Sequence, residues 1–558
     1  MTNSKKDFAL RGWQVVATTL VVLIVVSFIP PIEAGGLSLR RASVISDLID
    51  VKSPDAAEQE SLAELAPEID VEEFEVDLEQ VAQVVQQTTQ EASPTGVATS
   101  ASWEGIFDEQ PLGGEYVASP DSLPSIEELP VADFSAILPA SGEITAVEEF
   151  AEAEQTPMER LYEKLLSGKE QVRIAFMGDS FVEGDILTAD LRELMQDTFS
   201  GGGVGYVPVA SPFTGFRQTI KTTSKGWTPY NIMQRKSTPE PYVQDFFVSG
   251  WVAKASPGAS TRWEMTQKRR HADECRRARL LFICREDASV SVKLDQEQER
   301  KFSFSAGEYV RQIVVESEKI SSLEMRVDSG AEGFTAIGAE FDDVKGVAVD
   351  NLSVRSNNGQ AMFWSNAAVN AQINTMRGYD LVILQYGLNI MQADRTNYSL
   401  YAQQVEKMIH YVESCFPEAA ILVMGVSDRS QKDENGITPM TAAEHLTRWQ
   451  RTAAENCGVA FWDTYSTMQR LGGMENFVAN GWAGKDYTHI NYAGGAQIAR
   501  ELYYSLLKGA EVYCASLRER IEKSTPVLVA PLDIEPVNKI TVEKIVSSQD
   551  TLAAEELM

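Results

Sequence analysis

Apolar and polar positions divide the chain into stretches of different character. Residues 172–178 (VRIAFMG) form an apolar run broken once by arginine and ending in glycine, the pattern of a strand buried on both faces. Ile186, Leu187, Leu191, Leu194 and Met195 follow at helical spacing. Strand-like runs return at 379–389 (YDLVILQYGLN), 419–428 (AAILVMGVSD) and 459–465 (VAFWDTY), with amphipathic helical stretches at 400–416 and 441–457 between them. This order predicts an α/β fold, a parallel sheet flanked by helices in three α/β/α layers. Between 217 and 351 the pattern changes. Short β-rich runs (FFVSGWVAKA, RLLFICRE, ASVSVKL, YVRQIVVE, SSLEMRVD, FTAIGAEF) succeed one another without helical stretches, which predicts an inserted, separable β-sandwich. So long a gap exceeds any single connection in an α/β domain.

The N-terminal third is different again. Residues 13–29 (WQVVATTLVVLIVVSFI) are almost wholly apolar, follow Lys5, Lys6 and Arg11, and stop at Pro30-Pro31. They predict a membrane anchor within 1–35, with the N-terminus cytoplasmic and the rest exported to the periplasm. The alternative is a signal segment cleaved near IEA at 32–34, giving a secreted protein. Of the 558 residues, those from 53 to 155 include no Lys or Arg and 25 Asp or Glu. Residues 36–155 therefore read as a disordered, self-repelling acidic tether with one helix near 56–74. The Pro-spaced tail, 521–558, reads as unpacked. The formal charge of −32 belongs largely to the tether, since residues from 156 onward carry only −9. No basic stripe points to nucleic acid. The one basic cluster, 268–279 (KRRHADECRRAR), reads as a solvated face and includes His271. The five cysteines show no CxxC or metal-ligand spacing, so no cofactor or metal is implied. Cys275 and Cys284 could pair in an oxidising compartment, while Cys415 and Cys457 read as buried thiols at helix ends.

Four short strings carry chemistry: GDSF at 178–181, NNG at 357–359, GLN at 387–389 and DYTH at 486–489. Ser180 falls where the first strand passes into a helix, at the carboxyl edge of a parallel sheet, where open α/β sheets place ligands. A helix N-terminus there offers free N–H groups to an oxyanion. His489, one of four histidines, has Asp486 three residues before it. A carboxylate at that spacing fixes the imidazole tautomer that leaves the other ring nitrogen free to take a serine proton. His410 and His445 lie within amphipathic helices and read as structural. Asn389 ends a strand, where its amide could serve an oxyanion or cap a helix. Gly359 could offer an unobstructed N–H, or simply close an Asn-Gly turn.

In this order the four strings resemble the blocks of the SGNH (GDSL-type) hydrolase superfamily, over roughly residues 160–515. The resemblance implies Ser180 as nucleophile, His489 as base and Asp486 as its orienting acid. It also implies an oxyanion hole from the Ser180 N–H, the Gly359 N–H and the Asn389 amide. The stretch GGGVGYVPVASPFTGF at 201–216 and the long gap after it are similar to peptidoglycan O-acetylesterase-like members. That likeness implies a catalytic domain in two parts (156–216 and 352–520) around a carbohydrate-binding-module-like insert at 217–351. Trp227, Trp251 and Trp263 could stack on sugars there, although core packing suits each of them better. The expected activity is removal of O-acetyl groups from an envelope glycan. Two alternatives share the parts: an O-acetyltransferase passing the same acyl group to a polysaccharide, with a polytopic acyltransferase as partner, and a glycan-binding protein with a relict hydrolase body.

Overall fold

The computed structural model describes residues 33–34, 37–38, 74–90, 132–139, 143–433 and 436–524. The expected anchor at 13–29, all but the last residue of the helix near 56–74, and the tail beyond 524 lie outside the described residues. Among the described residues no helix is long and apolar enough to cross a membrane.

A helix, α1 (Leu78–Gln90), precedes the body, which begins with α2 (Pro157–Ser167), β1 (Gln171–Gly178) and α3 (Thr188–Phe199). Then come β2 (Gly205–Val207), β3 (Ile220–Asn231), β4 (Trp251–Met265), β5 (Cys275–Cys284) and β6 (Ala288–Leu294). They are followed by β7 (Arg300–Phe304), β8 (Gly307–Ile320), β9 (Ser322–Ser329), β10 (Phe334–Asp342) and β11 (Gly346–Asn351). The remainder is α4 (Ala367–Arg377), β12 (Leu381–Gln385), α5 (Ser399–Cys415), β13 (Ala420–Met424) and the hairpin β14 (Ser430–Asp433) and β15 (Gly436–Pro439). It ends with α6 (Ala442–Cys457), β16 (Ala460–Trp462), α7 (Thr464–Arg470), α8 (Gly473–Ala479) and α9 (Tyr492–Ser524).

Five strands make a parallel sheet in the order β11-β1-β12-β13-β16. Helices cover both faces, as burial of every central strand requires. In one layer α9 packs on α2 and α3; in the other α5 packs on α4 and α6. The start of α2 is fixed by a capping box, in which Thr156 accepts from the Glu159 N–H and Glu159 reaches back to the Thr156 N–H. The presence of β11 in this sheet corrects the expected boundary of the insert. Residues 346–351 lie inside 217–351, yet they pair in parallel with β1. GVAVDN has the same β-rich composition as the runs before it, so composition could not reveal its partner.

Nine of the remaining strands form an antiparallel region ordered β8-β5-β10-β4-β9-β6-β7, with β2 on β10 and β3 on β4, and the hairpin β14–β15 stands apart. It begins earlier than expected, because residues 205–207 already belong to it. It is one continuous sheet doubled over rather than two separate sheets. The long strand β4 pairs with β10 at Ala253 and Lys254, and with β9 from Ser260 to Glu264. Between these stretches Gly258 takes a left-handed φ of 76°, and Gly226 on β3 (φ 73°) brings its backbone against Ala259. The two halves fill one core, with Leu280, Phe282 and Val315 from one and Val290, Leu323 and Val327 from the other.

This region is a sheet of its own that packs against the α/β body. Alternate residues of β5 face opposite ways: Leu280 and Phe282 enter its own core, whereas Leu281 and Ile283, with Val310 and Ile337, join the core of the α/β body. Both faces of β5 are therefore buried, one in each core. A buried cluster of charge crosses the same contact. Asp350 on β11 accepts from Arg173 on β1 at 2.7 Å and from the Tyr379 hydroxyl at 3.0 Å, and lies 3.4 Å from Arg377. Glu340 on β10 meets Arg377 at 2.5 Å and Arg279 at 3.4 Å. Asp342 pairs with Arg277 at 2.7 Å and with Arg173.

Parts of the expected tether are ordered on the body. Phe74 is fully buried, and α1 lies against α4 and α5. Glu148 pairs with Phe461 beyond the edge strand β16 and holds Arg451. Acidic composition had hidden an amphipathic pattern in α1, with Leu78, Val81 and Val85 on one face. The disulfide is also corrected: Cys275 and Cys284 stand at opposite ends of β5, roughly 30 Å apart at about 3.3 Å per residue. All five cysteines are free. The basic cluster keeps Lys268, Arg270 and Arg276 exposed and also meets α3, through Arg269 with Asp190 (2.9 Å), Arg270 with Glu193 (2.9 Å) and His271 with Asp197 (2.8 Å).

Candidate active site

Ser180 occupies the turn that follows β1 at the carboxyl edge of the sheet. A Cβ on Gly178 would lie 2.5 Å from Val182 Cγ2 and 3.0 Å from the Gln385 carbonyl, so the turn requires glycine there. The helix does not begin at once. A short turn at Glu183–Asp185 intervenes and α3 starts at Thr188, so Ser180 stands in a loop and not at a helix N-terminus. The expected source of helix N–H groups is therefore absent from the serine. Gly184 and Asp185 both take left-handed φ (68° and 71°), and the buried Asp185 carboxylate holds the turn. Arg192 meets both its oxygens at 3.0 Å, and Thr188 and Thr219 donate hydroxyls at 2.6 and 2.8 Å. Burial alone would raise the pKa of this carboxyl, but Arg192 and Arg217 outweigh burial and hold it well below the usual range.

His489 comes from a loop pinned at both ends. Its carbonyl accepts from the Gly484 N–H at 2.8 Å, and the Tyr487 carbonyl accepts from Ser430 on the hairpin at 3.1 Å. Its Nε2 lies 3.2 Å from Ser180 Oγ, and its Nδ1 lies 2.7 Å from Asp486 Oδ2. Asp486 also accepts the backbone N–H groups of Thr488 (3.0 Å) and His489 (3.1 Å). Burial pushes the Asp486 pKa up, but these bonds and the imidazole prevail and hold it below the ordinary value. The contact assigns the Nδ1 proton to the Asp486 side and leaves Nε2 facing the serine. A Ser–His distance of this size is usual without substrate.

Asn389 sits just past β12, close to Ser180 but already engaged. Its Nδ2 donates to the Asn357 carbonyl at 3.0 Å and to Asp179 Oδ2 at 3.2 Å. The Ser180 N–H meets no acceptor among the described residues. Gly359 fits the turn reading rather than the oxyanion role that the resemblance implies. Its N–H donates to Asn357 Oδ1 at 2.9 Å, and its backbone (φ 107°) is closed over by Met408 and Tyr386. The side chain two residues earlier takes the donor in an Asx-type turn, so this N–H is not free for an oxyanion.

Asp179 is the neighbour that the strings contain but the sequence reading did not use. It is fully buried, and its Oδ1 accepts from the Phe181 N–H at 2.9 Å. Burial pushes its pKa up to about 7, against the opposing pull of that N–H and of His489. Further out, the Tyr401 hydroxyl donates to the Asn358 carbonyl at 3.0 Å, and the Phe74 ring packs edge-on against Tyr401. The ordered part of the acidic segment thus backs the turn that carries Asn357. His410 is exposed and pairs with Glu413, well apart from this constellation, and His445 lies within α6. Trp263 is fully buried and Trp251 nearly so.

No family model and no curated protein matches the chain. Among solved structures, a peptidoglycan O-acetylesterase is similar over 68% of this chain and 99% of its own, at 21% identity and a TM-score of 0.51. A family two carbohydrate esterase from Cellvibrio japonicus (8% identity, 52% of this chain, 98% of that one) has a TM-score of 0.23. A lipase/acylhydrolase from Enterococcus faecalis (18% identity, 28% of this chain, 76% of that one) has a TM-score of 0.22. The fold assignment rests on the first alone. The chain has an SGNH hydrolase-like fold, an α/β/α body interrupted by an antiparallel β-rich region.

Proposed function

We propose that the protein is an exported serine esterase that removes O-acetyl groups from an acetylated cell-envelope glycan such as peptidoglycan. The observation that carries this reading is the contact series Ser180 Oγ–His489 Nε2–Asp486 at the carboxyl edge of the sheet. His489 Nε2 takes the hydroxyl proton as Ser180 Oγ attacks the ester carbonyl. Asp486 stabilises the imidazolium so formed. The Ser180 N–H and the Asn389 amide face the developing oxyanion. Asn389 serves it by exchanging its longer bond, to Asp179, for one to the charged oxygen. The imidazolium then protonates the departing sugar oxygen, and water attacks the acyl-enzyme with His489 again as base. The glycan substrate is supported by the fold shared with a solved peptidoglycan O-acetylesterase, and export by the apolar segment at 13–29, which would anchor the body outside the inner membrane.

The test supplies acetylated peptidoglycan with and without a sugar acceptor. Free acetate in both is the expected result. Acetylated acceptor formed in place of acetate would make the protein a transferase, working with a polytopic acyltransferase; release of neither would end the esterase reading. Replacing Asn389 by alanine is expected to lower kcat by about 100-fold with little change in KM, because an oxyanion donor acts mainly in the transition state. A rise in KM alone would make Asn389 a substrate contact.

A further inference from the structure

Phe74 lies in an acidic run, EEFEVD at 72–77, four residues before α1, and yet none of its surface is exposed. Its ring meets two others edge to face: Tyr401 on α5, with ring centres 6.4 Å apart and planes at 88°, and Phe363, at 6.1 Å and 74°. The chain around it is tied down on both sides. Lys407 on α5 pairs with Glu75 at 3.1 Å, and Asp77 accepts the Gln80 N–H at 2.9 Å where α1 begins. Farther along, Val85 is buried and α1 lies on α4 and α5.

Both rings that Phe74 touches support the turn that holds the oxyanion donor. The buried Tyr401 hydroxyl donates to the Asn358 carbonyl at 3.0 Å, and the adjoining carbonyl, that of Asn357, accepts Asn389 Nδ2 at 3.0 Å. Phe363 belongs to the short helical turn Gln360–Trp364 that follows directly, and it also meets Tyr411 of α5 edge-on at 5.5 Å. Met408, seven residues beyond Tyr401 on α5, lies against Gly359. A space left by a buried ring is filled in part by movement of its neighbours. Here those neighbours are a tyrosine bonded to the turn and a phenylalanine at its end, so the movement passes to the carbonyl that aims the Asn389 amide.

We propose that Phe74 is a positioning residue for the oxyanion donor: seated between Tyr401 and Phe363, it fixes the Asn357 carbonyl and through it the Asn389 amide. The part of the acidic segment that carries Phe74 then belongs to the working active site and is more than a spacer. Phe74 touches no reacting atom, and its role rests on the esterase reading, with Asn389 as oxyanion donor.

The test compares kcat for a small acetyl ester when Phe74→Ala is placed in the full parent chain and in Asn389→Ala. In the parent the substitution is expected to lower kcat about 10-fold with KM changed by less than about 2-fold, a part of the roughly 100-fold that losing the donor outright costs. In Asn389→Ala the same substitution is expected to change kcat by less than about 2-fold, because no donor remains to be aimed. A merely structural role would lower both alike. Phe74→Leu, which keeps an apolar plug, is expected to recover most of the loss. If circular dichroism shows that Phe74→Ala unfolds the body, Tyr401→Phe, which keeps the ring and removes only the bond to Asn358, takes its place in both backgrounds with the same pattern expected. Hydrogen exchange needs no turnover, and the amides of residues 357–364 are expected to exchange faster in Phe74→Ala. Unchanged kcat in a folded variant, an equal loss with and without the Asn389 side chain, or unchanged exchange over 357–364 would overturn the role. No acetate from the parent would end the esterase reading itself, whereas acetate from the parent with any of those three results ends only the role of Phe74.

Discussion

Ser180→Ala is expected to lower ester cleavage by about 10⁵-fold or more while leaving the unfolding temperature unchanged. Oγ is the only atom lost. Ser180 lies in a turn fixed by Gly178 and by the buried Asp185, not by its own hydroxyl, whose one hydrogen-bond contact among the described residues is His489. Losing the nucleophile of a serine relay removes nearly all the acceleration that the relay supplies, because its members act as a unit. The measurement is acetate released from a small acetyl ester, alongside circular dichroism and a thermal melt. Activity near that of the parent in a folded Ser180→Ala variant would show that the ester is cleaved elsewhere.

The second large effect is on stability. Asp350→Ala is expected to cost about 3–5 kcal/mol, because removing one acid from a buried ion-pair network leaves its arginines short of compensating charge. Here it takes one carboxylate from two guanidinium groups, Arg173 and Arg377, each about 1% exposed, which keep Asp342 and Glu340 as partners, and it frees the Tyr379 hydroxyl and the Tyr206 N–H. The loss is read from the urea midpoint at an unchanged slope. A change below about 1 kcal/mol would mean that water or repacking compensates the arginines. The pH dependence has a definite sign. Burial would raise the Asp350 pKa, but Arg173 and Arg377 prevail and lower it. Its contribution is therefore present above the unfolded value of about 3.9 and is lost only as acid takes the pH down through the folded value.

The parts of the site legible in the sequence are those whose geometry is local. Asp486 and His489 stand three residues apart in one loop, and Ser180 ends a strand whose apolar run and terminal glycine are both visible. For Asn389 the sequence showed a strand end, whereas its nearness to the Ser180 turn comes from β12 lying beside β1 with Gln385 opposite Gly178. Gly359 was legible locally as an Asn-Gly turn, and only the resemblance made it an oxyanion donor; Asn357, two residues earlier, accepts its N–H. Asp179 lay inside the GDSF string, but its importance comes from burial, which a string does not display. In the fold, composition marked β5 as a strand through the run RLLFICRE and gave β11 no run of its own. It could not report that one packs on two cores and the other crosses into the parallel sheet, because partner choice depends on residues far away in the chain. The acidity of residues 53–155 outweighed the apolar stripe of α1 for a similar reason: composition averages over a segment, whereas docking needs only a few well-spaced side chains.

The two-sided burial of β5 bears on how such a molecule can change over evolutionary time. A module with a solvated back can be lost, duplicated or exchanged between proteins with little consequence for its host. Here the back of the β-rich region is wallpapered with Leu281 and Ile283 against the body that carries Ser180, and riveted there by Glu340 and Asp342. Exchange of the whole piece would expose a hydrophobic wound on both halves. The route left open to variation is substitution at the loops and strand ends around the catalytic edge, so new substrate preferences would arise residue by residue rather than by shuffling domains.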